Sequence, residues 1–131
     1  MKNAACGSGS YNGIISDYLV ADCLFCRIVS REIPAQIVFE NKQLVVLKDI
    51  NPQAPTHLLV IPKKHIARLS ASTDDDAVLL GQLQRGLAEL AAKNGLSSFR
   101  AVVNNGPEAG QTVDHLHYHL LGGRPMGWPP G

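Results

Sequence analysis

One long amphipathic segment, residues 73–94, constrains the fold of this chain more than any other feature. Ser72 and Thr73 precede three aspartates, which is typical of a helix start because such side chains cap free amides and suit the positive end of the helix dipole. Apolar residues then recur at helical spacing, at Val78, Leu79, Leu83, Leu87, Leu90 and Ala91. Asn94 and Gly95 end the pattern, as they often end helices.

Five short β-rich runs surround this helix, three before it and two after it. They are residues 36–40, 43–47, 57–61, 99–103 and 115–121. Asn41 and Lys42 predict a two-residue hairpin turn between the first two runs. Because strands and helices do not alternate as in βαβ units, the order predicts an α+β fold with an antiparallel sheet. A short helix is predicted over residues 23–30, with Asp22 as its cap and an end before Pro34.

Length and composition fit one globular domain, with 131 residues of which 45% are hydrophobic and 18% charged. Residues 1–20 are rich in Gly, Ser and Asn, which predicts a flexible N-terminal arm before a domain over residues 21–131. The formal net charge of +1 argues against nucleic-acid binding. No apolar run approaches the roughly 18 residues that would span a membrane. Three cysteines do not make a disulfide framework, which favours a reduced, cytoplasmic setting.

Three of the five histidines alternate with other residues, at His115, His117 and His119. Alternate side chains of a strand point to one face, so the pattern predicts that the three imidazoles lie together. The plain alternative is a solvated polar strand face, for which Thr, Lys or Ser would be the ordinary residues. Clustered imidazoles can bind a metal ion, or one can act as a nucleophile while its neighbours move protons. Crowding disfavours full protonation and keeps at least one imidazole neutral, as a nucleophile requires.

The loop before these histidines, residues 106–112, suits an anion. Its two glycines permit close backbone approach, and main-chain amides in such loops can cradle a phosphate. Gln111 and Thr112 add side-chain donors, and Asn104 lies just before the loop. The sequence therefore predicts a phosphate site beside a histidine.

Residues 115–121, His-Leu-His-Tyr-His-Leu-Leu, resemble the motif of the histidine triad (HIT) family. Further matching segments are residues 33–35, 49–57, 60–65 and 110–111, and the ending at 122–131 is similar to the Hint branch, the histidine triad nucleotide-binding proteins. The resemblance covers residues 22–131. It implies the HIT fold, a five-stranded antiparallel sheet with one long and one short helix. It also implies a homodimer in which two sheets join, with the long helix and the run 99–103 at the interface.

The resemblance implies an enzyme, because Hint proteins are purine nucleoside phosphoramidases, which cleave the P–N bond between a nucleoside 5′-monophosphate and an amine. His117 would attack phosphorus to form a nucleotidyl-imidazole, and water would then release AMP or GMP. His115, His119 and His57 would orient His117 and move protons. Thr112 would contact the phosphate or the leaving group. No cofactor would be required for catalysis.

The resemblance also implies a nucleotide-binding set. Asp49 would bind the ribose hydroxyls, although it could merely cap the turn at residues 51–52. Asn104 would hold the phosphate. A purine slot would be formed by residues that are core residues by default, namely Leu24, Phe25, Ile28, Leu47 and Ile50. The full set is Asp49, Ile50, Asn104, Gly110, Gln111, Thr112, His117, His119, Leu24, Phe25, Ile28, Leu47 and Trp128. Trp128 lies in the C-terminal tail, which in the family approaches the partner's site.

Cys23 and Cys26 form a C-x-x-C pair, a weak metal signal by itself because zinc sites need four ligands. Some HIT proteins bind structural zinc with two such cysteines, a histidine at the position of His65, and the first triad histidine. The resemblance therefore implies a structural zinc site of Cys23, Cys26, His65 and His115. The alternative is a pair of reduced thiols near the nucleotide pocket. A redox role lacks the thioredoxin context.

Three functions stay open at this point: the phosphoramidase, a zinc-dependent hydrolase with the triad as catalytic ligands, and a nucleotide-binding regulatory protein whose catalysis is incidental. The zinc-dependent hydrolase is weakened because the carboxylate nearest the triad in sequence, Asp114, is expected on the opposite strand face.

Overall fold

The strands in the described part of the chain form one five-stranded sheet. The computed structural model describes Val20 and residues 22–131, so residues 1–19 of the predicted arm lie outside the described residues. The helices are α1 (Leu24–Val29) and α2 (Ala77–Lys93), and the strands are β1 (Ile37–Glu40), β2 (Leu44–Lys48), β3 (Thr56–Pro62), β4 (Phe99–Val103) and β5 (Tyr118–Gly122). The sheet order is β1-β2-β3-β5-β4, and every neighbouring pair is antiparallel. The predicted α+β fold is confirmed. None of the described helices has the length and apolar character needed to cross a membrane.

The fifth strand begins three residues later than predicted, at Tyr118, which pairs with both β3 and β4. The main-chain amide of Leu116 donates instead to the Ile66 carbonyl at 2.6 Å, outside the strand ladder. His115 and His117 therefore lie in an irregular segment before β5. The predicted strand alternation of the three histidines is wrong for these two, because a tertiary hydrogen bond replaces the strand pairing.

One turn and one helix cap also differ from prediction. The β1–β2 turn has three residues, because the Asn41 side chain accepts hydrogen bonds from the main-chain amides two and three residues later, at 2.8 and 2.9 Å. Helix α1 is capped by Cys23 instead of Asp22, since the amide of Cys26 donates to the Cys23 thiol sulfur at 3.5 Å. That cap sets both cysteines on the inner side of α1.

A capping box lies at the start of the 3₁₀ turn, Asp74–Asp76, that leads into helix α2. In it the amide of Thr73 donates to the Asp76 carboxylate at 2.9 Å. Asp76 is buried, and Lys64 Nζ donates to it at 2.7 Å. Burial would raise the pKa of Asp76, but the hydrogen bonds from Lys64 and Thr73 outweigh burial and lower it. The acidic start seen in the sequence is thus a structural anchor.

Apolar side chains cover both faces of the sheet, because alternate residues of the central strands point in opposite directions. Under α2 the buried cluster contains Leu44, Val46, Leu58, Val60, Ile66, Leu83, Leu87, Leu90, Ala91, Leu116, Tyr118 and Leu120. Under α1 it contains Val20, Cys23, Phe25, Cys26, Ile28, Val45, Leu47, Leu59 and Ile61. The candidate functional residues lie at the margin of this second layer.

Candidate active site

Three imidazoles form a row that runs from β3 to β5 and on to the segment just before β5. His57 lies on β3 and His119 on β5, with ring centroids 5.2 Å apart and with His57 Nε2 2.9 Å from His119 Nδ1. The ring of His117 lies 5.2 Å from that of His119 on its other side. The structure therefore brings together the predicted nucleophile and two of its three predicted partners.

His117 is held in a single neutral form. Its Nδ1 lies 2.7 Å from the main-chain carbonyl of His115. A carbonyl only accepts, so Nδ1 carries the proton and Nε2 keeps a lone pair. Burial lowers the pKa of His117, and the carbonyl contact opposes this only in part. The ring edge is supported by Phe25, whose centroid lies 5.2 Å away in a T-shaped contact. The result is a buried, oriented, uncharged nitrogen nucleophile.

His119 is likewise neutral near physiological pH. Burial lowers the pKa of His119 to about 4, assisted by the neighbouring His117 and His57, while the Asp49 carboxylate acts in the opposite direction. Asp49 Oδ2 lies 3.3 Å from His57 Nε2 and 4.0 Å from His119 Nδ1. His117 and His119 are therefore both uncharged near physiological pH, because the pKa of each ring is lowered.

The lowered pKa of His119 gives a direct expectation. Its ring signals in a ¹H–¹⁵N NMR titration should move with a midpoint at about 4, against an ordinary value of 6.5. Between these values the unfolded chain binds more protons than the folded one, so the free energy of unfolding should fall as pH is lowered from 6.5 towards 4. A His119→Gln variant should show a shallower fall over the same range. A midpoint near 6.5 would contradict this assignment.

Asp49 performs the turn-capping role that was the alternative to ribose binding. Its Oδ1 accepts from the amide of Asn51 at 2.8 Å, and its own amide donates to the His57 carbonyl at 3.1 Å. Its second carboxylate oxygen still faces the imidazole row. The two interpretations are therefore compatible, and ribose binding stays a prediction.

The glycine loop offers fewer free amides than predicted. The amide of Gly106 donates to Gln111 Oε1 at 2.8 Å, and the amide of Gln111 donates to the Gly106 carbonyl at 3.0 Å. The amides of Ala109 and Gly110 also donate to carbonyls within the loop. Gln111 is buried, and its Nε2 donates to two main-chain carbonyls at 2.8 and 3.0 Å. Its side chain therefore shapes the loop and is not available to donate to a phosphate. Thr112 is exposed and Asn104 is half-buried, which leaves both to face a ligand.

The predicted purine slot is divided between core and surface. Phe25, Ile28 and Leu47 are buried in the layer under α1, where they act as core residues. Leu24 is 43% exposed and Ile50 fully exposed. Trp128 is 84% exposed in the C-terminal tail. Only the exposed members present a surface to a nucleotide base, and their role stays a prediction.

The first triad histidine belongs to a different cluster. His115 is completely buried, and its Nε2–H donates to the Pro62 carbonyl at 2.8 Å, so its Nδ1 carries a lone pair. That Nδ1 lies 3.3 Å from Cys23 Sγ, 3.5 Å from Cys26 Sγ and 3.1 Å from His65 Nδ1. Since His115 turns away from the other two histidines of the triad, the geometry does not support the triad as one catalytic metal site.

The four residues Cys23, Cys26, His65 and His115 fit a tetrahedral metal ion. Their donor atoms all lie within 4.8 Å of one another. Ordinary Zn–S and Zn–N bond lengths give tetrahedral edges of about 3.4 Å between nitrogens and about 3.6 Å between nitrogen and sulfur. The His65–His115 separation is 3.1 Å and the Cys26–His65 separation is 3.4 Å. Metal-binding histidines usually donate their other ring N–H to a carbonyl or carboxylate, as His115 donates to the Pro62 carbonyl.

In the metal-free protein the Cys26 thiol is a poor acid, with a raised pKa. The hydrogen bond with Cys23 and burial both raise the pKa of Cys26. A bound cation reverses this preference, because a metal-coordinating thiol is deprotonated. A buried group of this composition therefore suits a soft divalent cation better than it suits water.

Comparison with known proteins agrees with this fold. The sequence model of the HIT domain matches residues 30–126. The chain belongs to the HIT family. An uncharacterised HIT-like protein of Synechocystis is 54% identical over 114 residues, covering 86% of this chain and 100% of that protein. The crystal structure of a HIT family hydrolase from Legionella pneumophila matches with TM-score 0.82 and 53% identity, covering 83% and 99% of the two chains. A HIT family hydrolase from Clostridium thermocellum matches with TM-score 0.78 and 44% identity, covering 81% and 94%.

The HIT match begins at residue 30, so Cys23 and Cys26 precede the matched segment while His65 and His115 lie within it. Sequence reasoning missed two groups beside the HIT histidines. The main-chain amide of Gln53 donates to His57 Nδ1 at 3.0 Å, and Arg124 donates to the Gln53 carbonyl at 2.9 Å. A main-chain donor leaves no mark in the residue pattern, and no sequence signal would have found it.

Proposed function

We propose that this protein hydrolyses the P–N bond of purine nucleoside 5′-phosphoramidates, with His117 as the nucleophile. The observation that carries the proposal is the 2.7 Å contact of His117 Nδ1 with the His115 carbonyl, which leaves a neutral Nε2 lone pair beside His119. The hydrolase names of the Legionella and Clostridium proteins support the reaction class. The phosphoramidate and the purine come from the resemblance to the Hint branch.

The proposed reaction requires a nucleophile and a proton donor, and the row of imidazoles can supply both. His117 Nε2 attacks phosphorus in line with the departing amine and forms a nucleotidyl-imidazole. A basic amine leaves only when its nitrogen takes up a proton, so a positioned acid speeds the step by about 10²–10⁴-fold. His119, adjacent to His117, is the group we assign to that transfer. Water then attacks the intermediate and gives a proton back to His119, and the nucleoside monophosphate and free His117 are released.

We assign nucleotide binding to the polar side chains around the row of imidazoles. Asp49 would accept from the ribose hydroxyls, while Asn104 and Thr112 would donate to the phosphate. Gly110, with φ of 99°, brings its backbone close to the Asn104 side chain and shapes the phosphate end. Apolar contacts to the base would come from Leu24, Ile50 and Trp128, which are the exposed members of the predicted set.

The Cys23, Cys26, His65 and His115 group is proposed as a structural zinc site that catalysis does not require. It joins α1 to the segment before β5, and the carbonyl of one of its ligands orients His117. We further propose that the protein is cytoplasmic, as its few cysteines suggest. We also propose a homodimer, since β4 is an edge strand whose Phe99 is 42% exposed. An edge of this kind can pair with a second copy.

A fluorogenic adenosine 5′-phosphoramidate tests the proposed activity. We expect steady release of the amine, with AMP as the second product. Protein denatured at alkaline pH during turnover should carry an added AMP on the peptide that contains His117, because a bond between phosphorus and imidazole nitrogen does not survive acid. A uridine analogue is the matched control and should turn over more slowly if a purine slot exists. Binding of AMP without turnover would replace the proposal with the nucleotide-binding regulatory protein.

A further inference from the structure

The loop between β2 and β3 determines which nitrogen of His57 carries a proton. The main-chain amide of Gln53 lies 3.0 Å from His57 Nδ1. An amide N–H only donates, so Nδ1 must present a lone pair, and the proton of the neutral ring is on Nε2. Asp49 Oδ2, 3.3 Å from Nε2, favours the same form because a carboxylate only accepts.

The proton position on His57 also determines the proton position on His119. The protonated Nε2 of His57 donates to His119 Nδ1 at 2.9 Å, so Nδ1 of His119 is an acceptor and its Nε2 carries the proton. His119 thus offers an N–H donor on its side away from His57. The same protons argue against a metal ion held by Asp49, His57 and His119, although their donor atoms lie near one another, because His57 Nε2 has no lone pair to give.

Arg124 holds the Gln53 peptide in place from the C-terminal tail. Its Nε donates to the Gln53 carbonyl at 2.9 Å, and its Nη1 donates to the Pro125 carbonyl at 2.9 Å. The tail approaches this loop closely at Gly123, where an added Cβ would lie 2.9 Å from Pro55. No described residue of the segment 49–55 belongs to a helix or strand. The tail contacts therefore replace regular pairing in holding the main chain at Gln53, whose amide faces His57.

We propose that Arg124 is a positioning residue that acts through the Gln53 main chain to keep His57 and His119 in the form in which His119 Nε2 donates. Without the Gln53 amide, His57 can carry its proton on Nδ1 and accept at Nε2. His119 then donates from Nδ1 and turns a lone pair towards the leaving group. The positions of the protons on His57 and His119 follow from the hydrogen bonds and do not depend on the proposed function. Their consequence for catalysis rests on the proposed function.

Nitrogen NMR of the imidazole rings reads the arrangement without any substrate. In the wild-type protein we expect protonated Nε2 and unprotonated Nδ1 for both His57 and His119. Arg124→Met should give a mixture of forms at both rings. Arg124→Lys, which keeps one donor for the Gln53 carbonyl, should restore the wild-type pattern. Arg100→Met is the matched control, because Arg100 Nη2 donates to the tail carbonyl of Gly127 at 2.7 Å without contacting Gln53. Its spectrum should equal that of wild type.

The kinetic readout compares leaving groups. With a phosphoramidate of a basic alkylamine, Arg124→Met should reduce kcat about 10- to 100-fold, within the range that a general acid supplies. With an adenylate whose leaving group is a weakly basic phenol, the same variant should stay within about twofold of wild type, since that group leaves without a proton. Equal loss with both substrates would indicate general damage to the site and would overturn the inference.

A single-atom replacement tests the amide itself. Incorporation of the α-hydroxy acid analogue of glutamine at position 53 replaces the N–H by an ester oxygen and removes the donor to His57. The same analogue at position 43 is the control, since the Gln43 amide also donates to a side chain, that of Asn41, at 2.8 Å. Only the ester at position 53 should shift the nitrogen spectra. Unchanged spectra there would overturn the inference, and an inactive wild type would overturn the proposed function while the spectra still decide the proton arrangement.

Discussion

Replacement of His117 will remove turnover while the fold is retained. We expect His117→Ala and His117→Asn to lower kcat for an adenosine 5′-phosphoramidate by at least about 10⁴-fold, because loss of a covalent nucleophile affects every later step. Asparagine is the sharper variant, since its side-chain amide can still donate to the His115 carbonyl that now holds Nδ1 at 2.7 Å. Turnover is measured by amine release, and folding by circular dichroism and AMP binding.

A variant of Asp114 is the control for this loss of turnover. Asp114 is adjacent in sequence to His115 but accepts from Arg68 Nη2 at 2.7 Å, away from the imidazole row. Asp114→Asn should therefore keep kcat within about threefold, because it removes a partly exposed ion pair of the kind worth little. A His117→Asn protein that is folded, binds AMP and keeps a tenth of wild-type kcat would show that another group attacks phosphorus.

The secondary structure followed from the residue pattern where that pattern is periodic. The apolar spacing from Val78 to Ala91 predicted α2, and the five β-rich runs predicted the five strands. The pattern failed at the histidines, because His-Leu-His-Tyr-His reads as one strand while the Leu116 amide bonds to Ile66. A single long-range hydrogen bond is not encoded in local alternation.

The site was predictable as a set of residues but not as a set of protons. Resemblance gave His117, His119 and His57, and the structure brings their rings together. Which nitrogen attacks and which donates depends on main-chain groups, the His115 carbonyl and the Gln53 amide. These groups exist at every position of a chain, so only the fold selects them.

Metal removal is the second large effect that we expect. Protein purified without chelator should hold about one zinc ion per chain by elemental analysis. The double variant Cys23→Ser, Cys26→Ser should hold less than about a tenth of that. It should also unfold at a clearly lower temperature, because binding to a preformed buried site contributes to folding free energy. Cys6→Ser is the matched control and should keep its zinc.

The reason for a large effect is the state of the site without metal. Two thiols and two imidazoles are buried with all donor atoms within 4.8 Å of one another, and four of the pairs are 3.1–3.5 Å apart. The hydrogen bond with Cys23 and burial already raise the pKa of Cys26. A bound cation would form one bond with each of the four donor atoms. Without the cation, these buried polar groups cannot reach water, which is unfavourable. Because zinc replaces thiol protons, zinc content should fall as pH is lowered.

The same experiment separates a structural from a catalytic metal. His115 links the two sites through its main-chain carbonyl, not through its ring, since the ring faces the thiols. Chelator should therefore lower thermal stability first, and turnover should persist in protein that remains folded. Immediate loss of turnover in folded protein would assign the metal to the reaction. Zinc-free protein with unchanged thermal stability would instead favour the pair of reduced thiols, because the four donors would then be stable as a hydrogen-bonded cluster.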